Sequence, residues 1–593
     1  MSAVEISSTV FCNHRRGLKV LFQPLFPRQP GLAPTISSSS GGARISLPED
    51  ILRVIIEELS PNDILSISLT SRHLRILLIP ELYRTVHLRS SRSCQSGLLM
   101  LARKPELCAH IQKLAVRPNY YLSWPTRDLP LSENWVATKI SDIATMLTNL
   151  RTFDWDGLEM PRDGLWLTLR NSCPGLKEIF SNVGLLPLDP ESELFKFDDL
   201  INFSLSVRHG LRETEIFPLQ EDLPRQLWDM ILTRCPNLTE LTLCSFSASR
   251  RLFNIDRVAE GRWPALSSLT LGAFGYNSDF TLAAPPEAAF TTFLAAHPTL
   301  TYIRFAWNFK RWMSPEDPMA LALPPALESF SGIMQQLPDG GCSNLTTLDL
   351  MSEPLYATRA PALCSALRVL PKLTNLELWV HVPEPRAGHE AFFRGLWGAA
   401  PGLEDLHFMC TTAFGKKPLS ELARALQLLP RLQTFALTKG HRYVDESMRR
   451  SALRVFSALL TPGPGADSAA PRARLSQVSI RWARAACRNH LKQEGTYECV
   501  PPSPPPPSPP PSAGASRSRR RPQGGGEQEK EEVLVEAWER GLRAVGGSFE
   551  RRYQFALPQA QGQPQGGDAD AGARGSNSPD AESQRFNSTR LSL

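Results

Sequence analysis

Two cysteine–histidine pairs are the side chains whose type and spacing come nearest to a metal site: Cys108-x-His110 and Cys487-x-x-His490. Neither has a second half at the spacing of a tetrahedral zinc site, so both read as buried or incidental residues. Adjacent carboxylates such as Glu404-Asp405 face outward on an expected strand, which suits contact with a ligand as well as acid–base work. The chain has no GxSxG, no GxxxxGK[ST], no HExxH and no dinucleotide fingerprint opening a βαβ unit. No residue takes a catalytic label, and neither a cofactor nor a metal is expected.

The elements that would position outward side chains are legible as a repeat. Segments of the form apolar-x-x-apolar-x-apolar recur, among them Leu150/Phe153/Trp155, Leu238/Leu241/Leu243, Leu373/Leu376/Leu378 and Leu403/Leu406/Phe408. Successive first positions lie 28 residues apart (238 to 266), then 34 (to 300), and later 28, 30 and 29 (345 to 373, 403 and 432). A period near thirty marks a stacked repeat array. Between these strands, residues 225–234, 287–296, 360–370, 391–400 and 419–429 carry helical patterns. A proline stands before the next strand at 174, 236, 264, 298, 371, 401 and 430, where it stops the helix. Twelve Trp, including Trp166, Trp228 and Trp397 on expected helices, read as core of the array.

Ahead of the repeats, residues 45–88 pack three short amphipathic segments into about forty residues. Leu47-Pro48 opens the first, with Ile51, Leu52, Ile55, Ile56 and Leu59 at helical spacing. Ser60-Pro61-Asn62-Asp63 restarts the chain with Asn62 or Asp63 as expected cap, Ile64, Leu65, Ile67 and Leu69 follow, and Pro80 is expected to stop a third segment bearing Leu74, Leu77 and Leu78. A unit this small needs a further surface to cover its apolar faces.

The order Leu-Pro, acid, Leu/Ile-rich helix, Asp-(Ile/Leu)-Leu, Ser-Arg-x-Leu resembles an F-box, and Ile79-Pro80-Glu81-Leu82-Tyr83-Arg84-Thr85-Val86 looks like the continuation seen in fungal F-box proteins. Two positions depart from the family pattern: Leu69-Thr70 replaces a common Val-Cys, and Leu74 a frequent Trp. The helix–Pro–strand–loop series resembles an irregular leucine-rich-repeat array, without the usual Asn ladder after each strand.

The fold expected is α/β: a small three-helix F-box (45–88), then an irregular leucine-rich-repeat solenoid of parallel strands (89–499). Flexible arms flank it (1–44 and 559–593), with a Pro-rich and basic linker (500–530) and a helical C-terminal cap within 531–558. The F-box resemblance implies a non-catalytic substrate receptor of an SCF-type cullin–RING ubiquitin ligase. Leu47, Pro48, Ile51, Leu52, Ile55, Leu59, Ile64, Leu65, Leu69 and Leu74 would then bind the Skp-type adaptor or pack the helices that do. A protein substrate would meet side chains that point to solvent between the ladder residues of the concave strands: Arg151, Asp154, Glu240, Tyr302, Arg304, Asp349, Asn375, Glu377, Glu404 and His407. The alternative is a repeat scaffold that binds proteins without the adaptor, its first helices only capping the array.

Bulk properties agree. An apolar fraction of 42% with 21% charged residues describes a globular protein carrying low-complexity segments. No run of eighteen apolar residues exists, so no membrane span is expected. Of the net charge of +6, residues 1–45 hold +4 and residues 514–593 hold +1, which leaves the body nearly neutral and argues against a nucleic-acid-binding stripe. Eleven scattered Cys with no CxxC pair read as reduced thiols of a cytoplasmic or nuclear protein. Arg15, Arg16, Lys19 and Arg28 also suit a mitochondrial transit peptide, though Pro24 and Pro27 interrupt its helix. Residues 501–511 hold nine Pro and should form an extended spacer, while SRSRRR at 516–521 has the composition of a nuclear signal.

Overall fold

The computed structural model describes residues 49–119, 131–184, 186, 188–207, 223–245, 253–272, 274–275, 289–306, 322–338, 342–382, 389–410, 412, 414–440, 447–460, 475–482, 494–499 and 542–545. The chain divides into two compact units, with the boundary between Phe274 and Gly275.

The first unit begins with three helices, α1 (Glu49–Glu58), α2 (Pro61–Ser68) and α3 (Arg72–Tyr83). The cap of α2 is Ser60, whose Oγ accepts from the Asp63 amide at 3.3 Å, rather than Asn62 or Asp63. Proline at the first helical position explains the difference, because it moves the cap one residue ahead of Pro61. Ser71 caps α3 in the same way, 3.1 Å from the Leu74 amide. Pro80 lies inside α3 and does not stop it; the helix runs one further turn to Tyr83. Ile64 on α2 and Leu78 on α3 are buried, and these two helices pack on one another.

Seven strands of the long sheet follow: β1 (Thr85–Leu88), β2 (Lys113–Val116), β3 (Thr152–Trp155), β4 (Glu178–Val183), β5 (Asn202–Val207), β6 (Glu240–Ser245) and β7 (Ser268–Gly272). Each pairs in parallel with the next. The crossovers carry α4 (Ser91–Arg103), α5 (Glu133–Ile143), α6 (Asp163–Ser172), α7 (Arg225–Asp229, continued by a π turn through Arg234) and α8 (Ile255–Ala259).

The second unit holds α9 (Ala289–Ala296), β8 (Tyr302–Ala306), β9 (Ser329–Ser331), β10 (Thr347–Tyr356), α10 (Ala360–Arg368), β11 (Asn375–His381), α11 (His389–Gly398) and β12 (Asp405–Cys410). It continues with α12 (Lys416–Ala425), β13 (Thr434–Lys439), α13 (Met448–Leu460) and β14 (Gln477–Trp482). From β8 to β14 every neighbouring pair is parallel. Two antiparallel strands, β15 (Glu494–Cys499) and β16 (Leu542–Val545), then add to the edge. Residues 542–545 were expected to end a helix; their backbone instead completes the hydrogen-bonding edge of β15. The remainder of that expected helix, the Pro-rich segment and both arms lie outside the described residues.

Every ladder residue named above is buried, from Leu150, Phe153 and Trp155 to Leu403, Leu406 and Phe408, and the same pattern buries Ile111, Leu114 and Val116 at one end and Val478 and Ile480 at the other. The physical cause is the strand's period of two, which sends the last two apolar residues of each segment to the same side. The first apolar residue closes a turn instead. The amides of Leu176, Leu266, Leu300, Leu373, Leu403 and Leu432 bond the carbonyl three residues back. Pro174, Pro264, Pro298, Pro371, Pro401 and Pro430 thus fall at the second position of these turns, where a fixed φ is favoured.

The missing Asn ladder has a backbone substitute. Just before each strand one carbonyl accepts two amides from the next repeat: Arg151 O from Lys177 and Glu178, Ile201 O from Thr239 and Glu240, Thr346 O from Thr374 and Asn375. Ser and Thr side chains reinforce it, as when Thr374 Oγ1 donates to Thr346 O at 3.2 Å and Ser476 Oγ to Gln433 O at 3.1 Å. Between strands and helices sit Trp155, Trp166, Trp228, Trp263 and Trp397, all fully buried. Trp166 meets Phe153 edge-on at 5.7 Å, and Trp397 meets Phe408 at 6.1 Å.

Candidate functional site

Two surfaces stand out, one apolar and one polar. The apolar one lies on the first three helices. Ile51 (49% exposed), Val54 (63%) and Ile55 (42%) share a face of α1 by their three- and four-residue spacing. Leu65 lies on α2 and Leu69 just after it at 64% exposure, while Ile76 on α3 reaches 71%. Large apolar side chains this exposed are otherwise scattered singly among the described residues, at Leu167, Leu186, Ile201, Tyr356 and Val369. Of the ten helix residues named from sequence, Ile51, Ile55, Leu65 and Leu69 are exposed, Leu52, Leu59 and Leu74 half-buried, and Ile64 buried; Leu47 and Pro48 lie outside the described residues. Val54 and Ile76 went unnamed. Val54 is three residues beyond Ile51, and that spacing was the available signal.

The polar surface follows from strand register. In the first unit one row across the sheet reads Lys113, Thr152, Glu178, Asn202, Glu240, Ser268. Thr152 Oγ1 donates to Glu178 Oε2 at 2.8 Å, and Thr239 Oγ1 to Asn202 Oδ1 at 2.7 Å. Burial pushes the Glu240 carboxyl up to about 7, helped by the charge of Glu178 and opposed by Lys113. The next row carries His87, Ala115, Asp154 and Phe180, with Lys113 Nζ 5.8 Å from the Phe180 ring centre. Burial, then Arg89, Lys113 and Arg117, push His87 down to about 3, so its imidazole is neutral. At the strand ends, buried Asp156 receives Arg117 Nε at 2.8 Å and Asn182 Nδ2 at 2.8 Å.

The second unit repeats the arrangement. One row is Tyr302, Ser329, Thr347, Asn375, Asp405; the next is Arg304, Ser331, Asp349, Glu377, His407. Asp349 accepts from Ser331 Oγ at 2.8 Å and from the Met351 amide at 2.9 Å. His407 has Nδ1 3.3 Å from Glu377 Oε2 and Nε2 3.0 Å from Thr438 Oγ1. Arg304 hydrogen-bonds the Tyr302 hydroxyl.

Sequence reasoning placed all ten polar candidates on solvent-facing strand positions, and the structure corrects this in two ways. Arg151 and Glu404 precede β3 and β12, in the turns whose carbonyls form the backbone ladder. Arg304, Asp349 and His407 are buried, not open to solvent; Ser331 on the neighbouring strand holds Asp349, and Glu377 and Thr438 on the strands to either side hold His407. Tyr302, Asn375 and Glu377 are half-buried beside them, while Asp154 and Glu240 sit half-buried on different rows of the first unit.

No group of three metal-ligating side chains exists among the described residues, Cys108 is buried with its thiol pushed up to about 11, and Cys487 and His490 lie outside them. Cys94, Cys108, Cys173, Cys235, Cys244, Cys342, Cys364 and Cys410 are buried and none is in a disulfide. No described helix is long and apolar enough to cross a membrane.

Fold and surfaces together define a class: an α/β repeat protein of the leucine-rich-repeat kind with a helical module at its start. Residues 45–89 match the family described as F-box-like. Among solved structures, the leucine-rich repeat-containing protein LegL7 from Legionella pneumophila is similar at 15% identity and a TM-score of 0.31, over 52% of this chain and 92% of that one. A leucine-rich-repeat protein from Leptospira interrogans is similar at 14% identity and 0.21 (57% and 80%), and the TLR13–ssRNA13 complex at 13% and 0.22 (59% and 54%). No curated protein matches the chain.

Proposed function

We propose that this chain is a non-catalytic substrate receptor of an SCF-type cullin–RING ubiquitin ligase, its first three helices seating a Skp-type adaptor and its sheet binding a protein substrate. The observation that carries this reading is the gathering of Ile51, Val54, Ile55, Leu65, Leu69 and Ile76, all exposed, within the F-box-like segment. A helical module that served only to cap the repeats would turn such side chains inward, where each contributes about 1.5–3 kcal/mol on burial. Here Ile64 and Leu78 face inward, and the others are left for a partner. Catalysis in this scheme is positional: substrate held near a ubiquitin-loaded enzyme reacts at a raised effective concentration.

The test is co-purification of the full chain with a Skp-type adaptor, beside Leu47→Ala/Pro48→Ala. Capture that is lost in the double variant supports the receptor. A folded wild-type chain that captures no adaptor leaves the adaptor-independent scaffold.

A further inference from the structure

We infer that the outer face of α12 and α13 is a docking surface for the chain's own acidic segment, residues 527–540, held there by ion pairs. The receptor reading is not needed for this inference, which concerns the helical layer alone.

In the first unit, cations of the helical layer have carboxylates beside them. Lys139 meets Asp142 at 2.6 Å, Arg170 meets Glu193 at 2.6 Å, Arg234 meets Asp198 at 3.3 Å and Arg257 meets Glu260 at 3.1 Å. The second unit differs. On α12, Lys417 and Arg424 stand two turns apart on one exposed face, with Lys416 exposed beside them. On α13, Arg450 and Arg454 share a face by their spacing. Leu419, Leu422, Leu453 and Phe456 are buried and fix the inner sides of the two helices, so these cations lie outward. The helices pack side by side, which joins the two sets into one patch. Arg424 shares Glu390 with Arg394, at 4.0 and 3.5 Å, whereas Lys416, Lys417, Arg450 and Arg454 form no ion pair among the described residues. Glu421, the one carboxylate that α12 and α13 carry, is buried against His389. Like charges gathered in this way repel, and an anionic occupant relieves the repulsion.

Connectivity and charge select the occupant. Residues 527–540 hold six Glu against Lys530 and Arg540, and β16 opens just beyond them at Leu542. Pairing with β15 pins β16 at the sheet edge, and α13 packs on β14 and β15. Arg449 in the first turn of α13 lies close enough to Tyr497 of β15 for its charge to act on that hydroxyl, and Tyr497 pairs with Ala544. With strands about 4.8 Å apart, α13 is within about 15 Å of β16, a span that about five extended residues cover. Such a tether holds the segment at an effective concentration of about a millimolar or more. Ion pairs worth less than about 1 kcal/mol each then suffice when several form together. The other stretches attached to these elements match poorly. Residues 483–493 carry Arg484, Arg488 and Lys492 and no acid, and residues 461–474 carry Asp467 against Arg472 and Arg474. The rival is 441–446, with Asp445 and Glu446 against Arg442.

The test is zero-length carbodiimide cross-linking of the full-length protein, with linked peptides mapped by mass spectrometry, wild type beside Arg424→Glu/Arg450→Glu. Within the monomer, wild type should join Lys416 or Lys417 to a glutamate of residues 527–539. The variant keeps both lysines and every glutamate of the segment, yet the yield of that link should fall at least about fivefold, as it should for wild type in about 0.5 M salt. Thermal unfolding is followed on both proteins, and the salt arm on wild type decides alone if the variant unfolds at a lower temperature. No such link in wild type, a yield unchanged by the substitutions or by salt, links from Lys416 and Lys417 only to Asp445 or Glu446, or links only between two copies would overturn the inference.

Discussion

Asp349 and Glu377 stand side by side on neighbouring strands, and the consequence is a proton held more tightly in the folded chain than in the unfolded one. Burial is the first cause and the charge of Glu377 the second, while Arg304 and the bonds from Met351 and Ser331 oppose them; the Asp349 carboxyl is pushed up to about 6 from 3.8. A raised carboxyl contributes stability that is present below about pH 4 and is lost as pH rises through about 6. Asp349→Asn removes that dependence. The variant should therefore gain on wild type by an amount on the order of 2 kcal/mol between pH 4 and pH 7, read as the difference in urea unfolding across that range. A constant difference would show that Asp349 titrates normally. A second residue-scale expectation concerns the α2 cap: Ser60→Ala removes the acceptor of the Asp63 amide and should cost about 1 kcal/mol of stability.

At the scale of the element, the sequence carried the repeat because burial is written in periodicity. Leu376, Leu241 and Phe408 follow from a period of two bounded by proline, and all are buried. Leu376→Ala should accordingly destabilise the second unit by about 2–5 kcal/mol, measured by denaturant unfolding. Thr374→Val tests the backbone ladder instead. It keeps the volume, removes the Oγ1 bond to Thr346 O, and should cost about 1 kcal/mol. What stayed hidden depends on contacts across strands. Residues 542–545 look helical in isolation and become a strand because β15 offers an unpaired edge. The burial of Asp349 and His407 goes with partners 18 to 31 residues away in sequence, Ser331 for the first and Glu377 and Thr438 for the second, and no local pattern encodes it. Arg151 and Glu404 were misplaced for a smaller reason: the strands begin one residue later than the apolar pattern implies. The Ser/Thr positions ahead of the strands (Thr239, Ser267, Thr346, Thr374, Ser476) were visible in the sequence, but their meaning appears only once each hydroxyl is seen to reach the preceding repeat.

At the scale of the whole molecule, the proposed receptor uses an apolar helical face for one partner and a polar sheet for the other. The two surfaces make separate demands on mutation. Under the proposed receptor function, changes on the sheet should alter substrate choice and spare adaptor binding; changes on the helices should do the reverse. Val54 and Ile76 offer the cleanest probe of the helices, because both are more than 60% exposed and contribute little to the packing that Ile64 and Leu78 provide. The decisive measurement is the affinity of purified full-length protein for a Skp-type adaptor by titration calorimetry, wild type beside Val54→Glu/Ile76→Glu, with thermal unfolding followed on both. Receptor function requires measurable wild-type binding, a loss of at least about a hundredfold in the variant, and an unchanged unfolding temperature. Equal affinity in the two proteins, or no binding by the folded wild type, would contradict it.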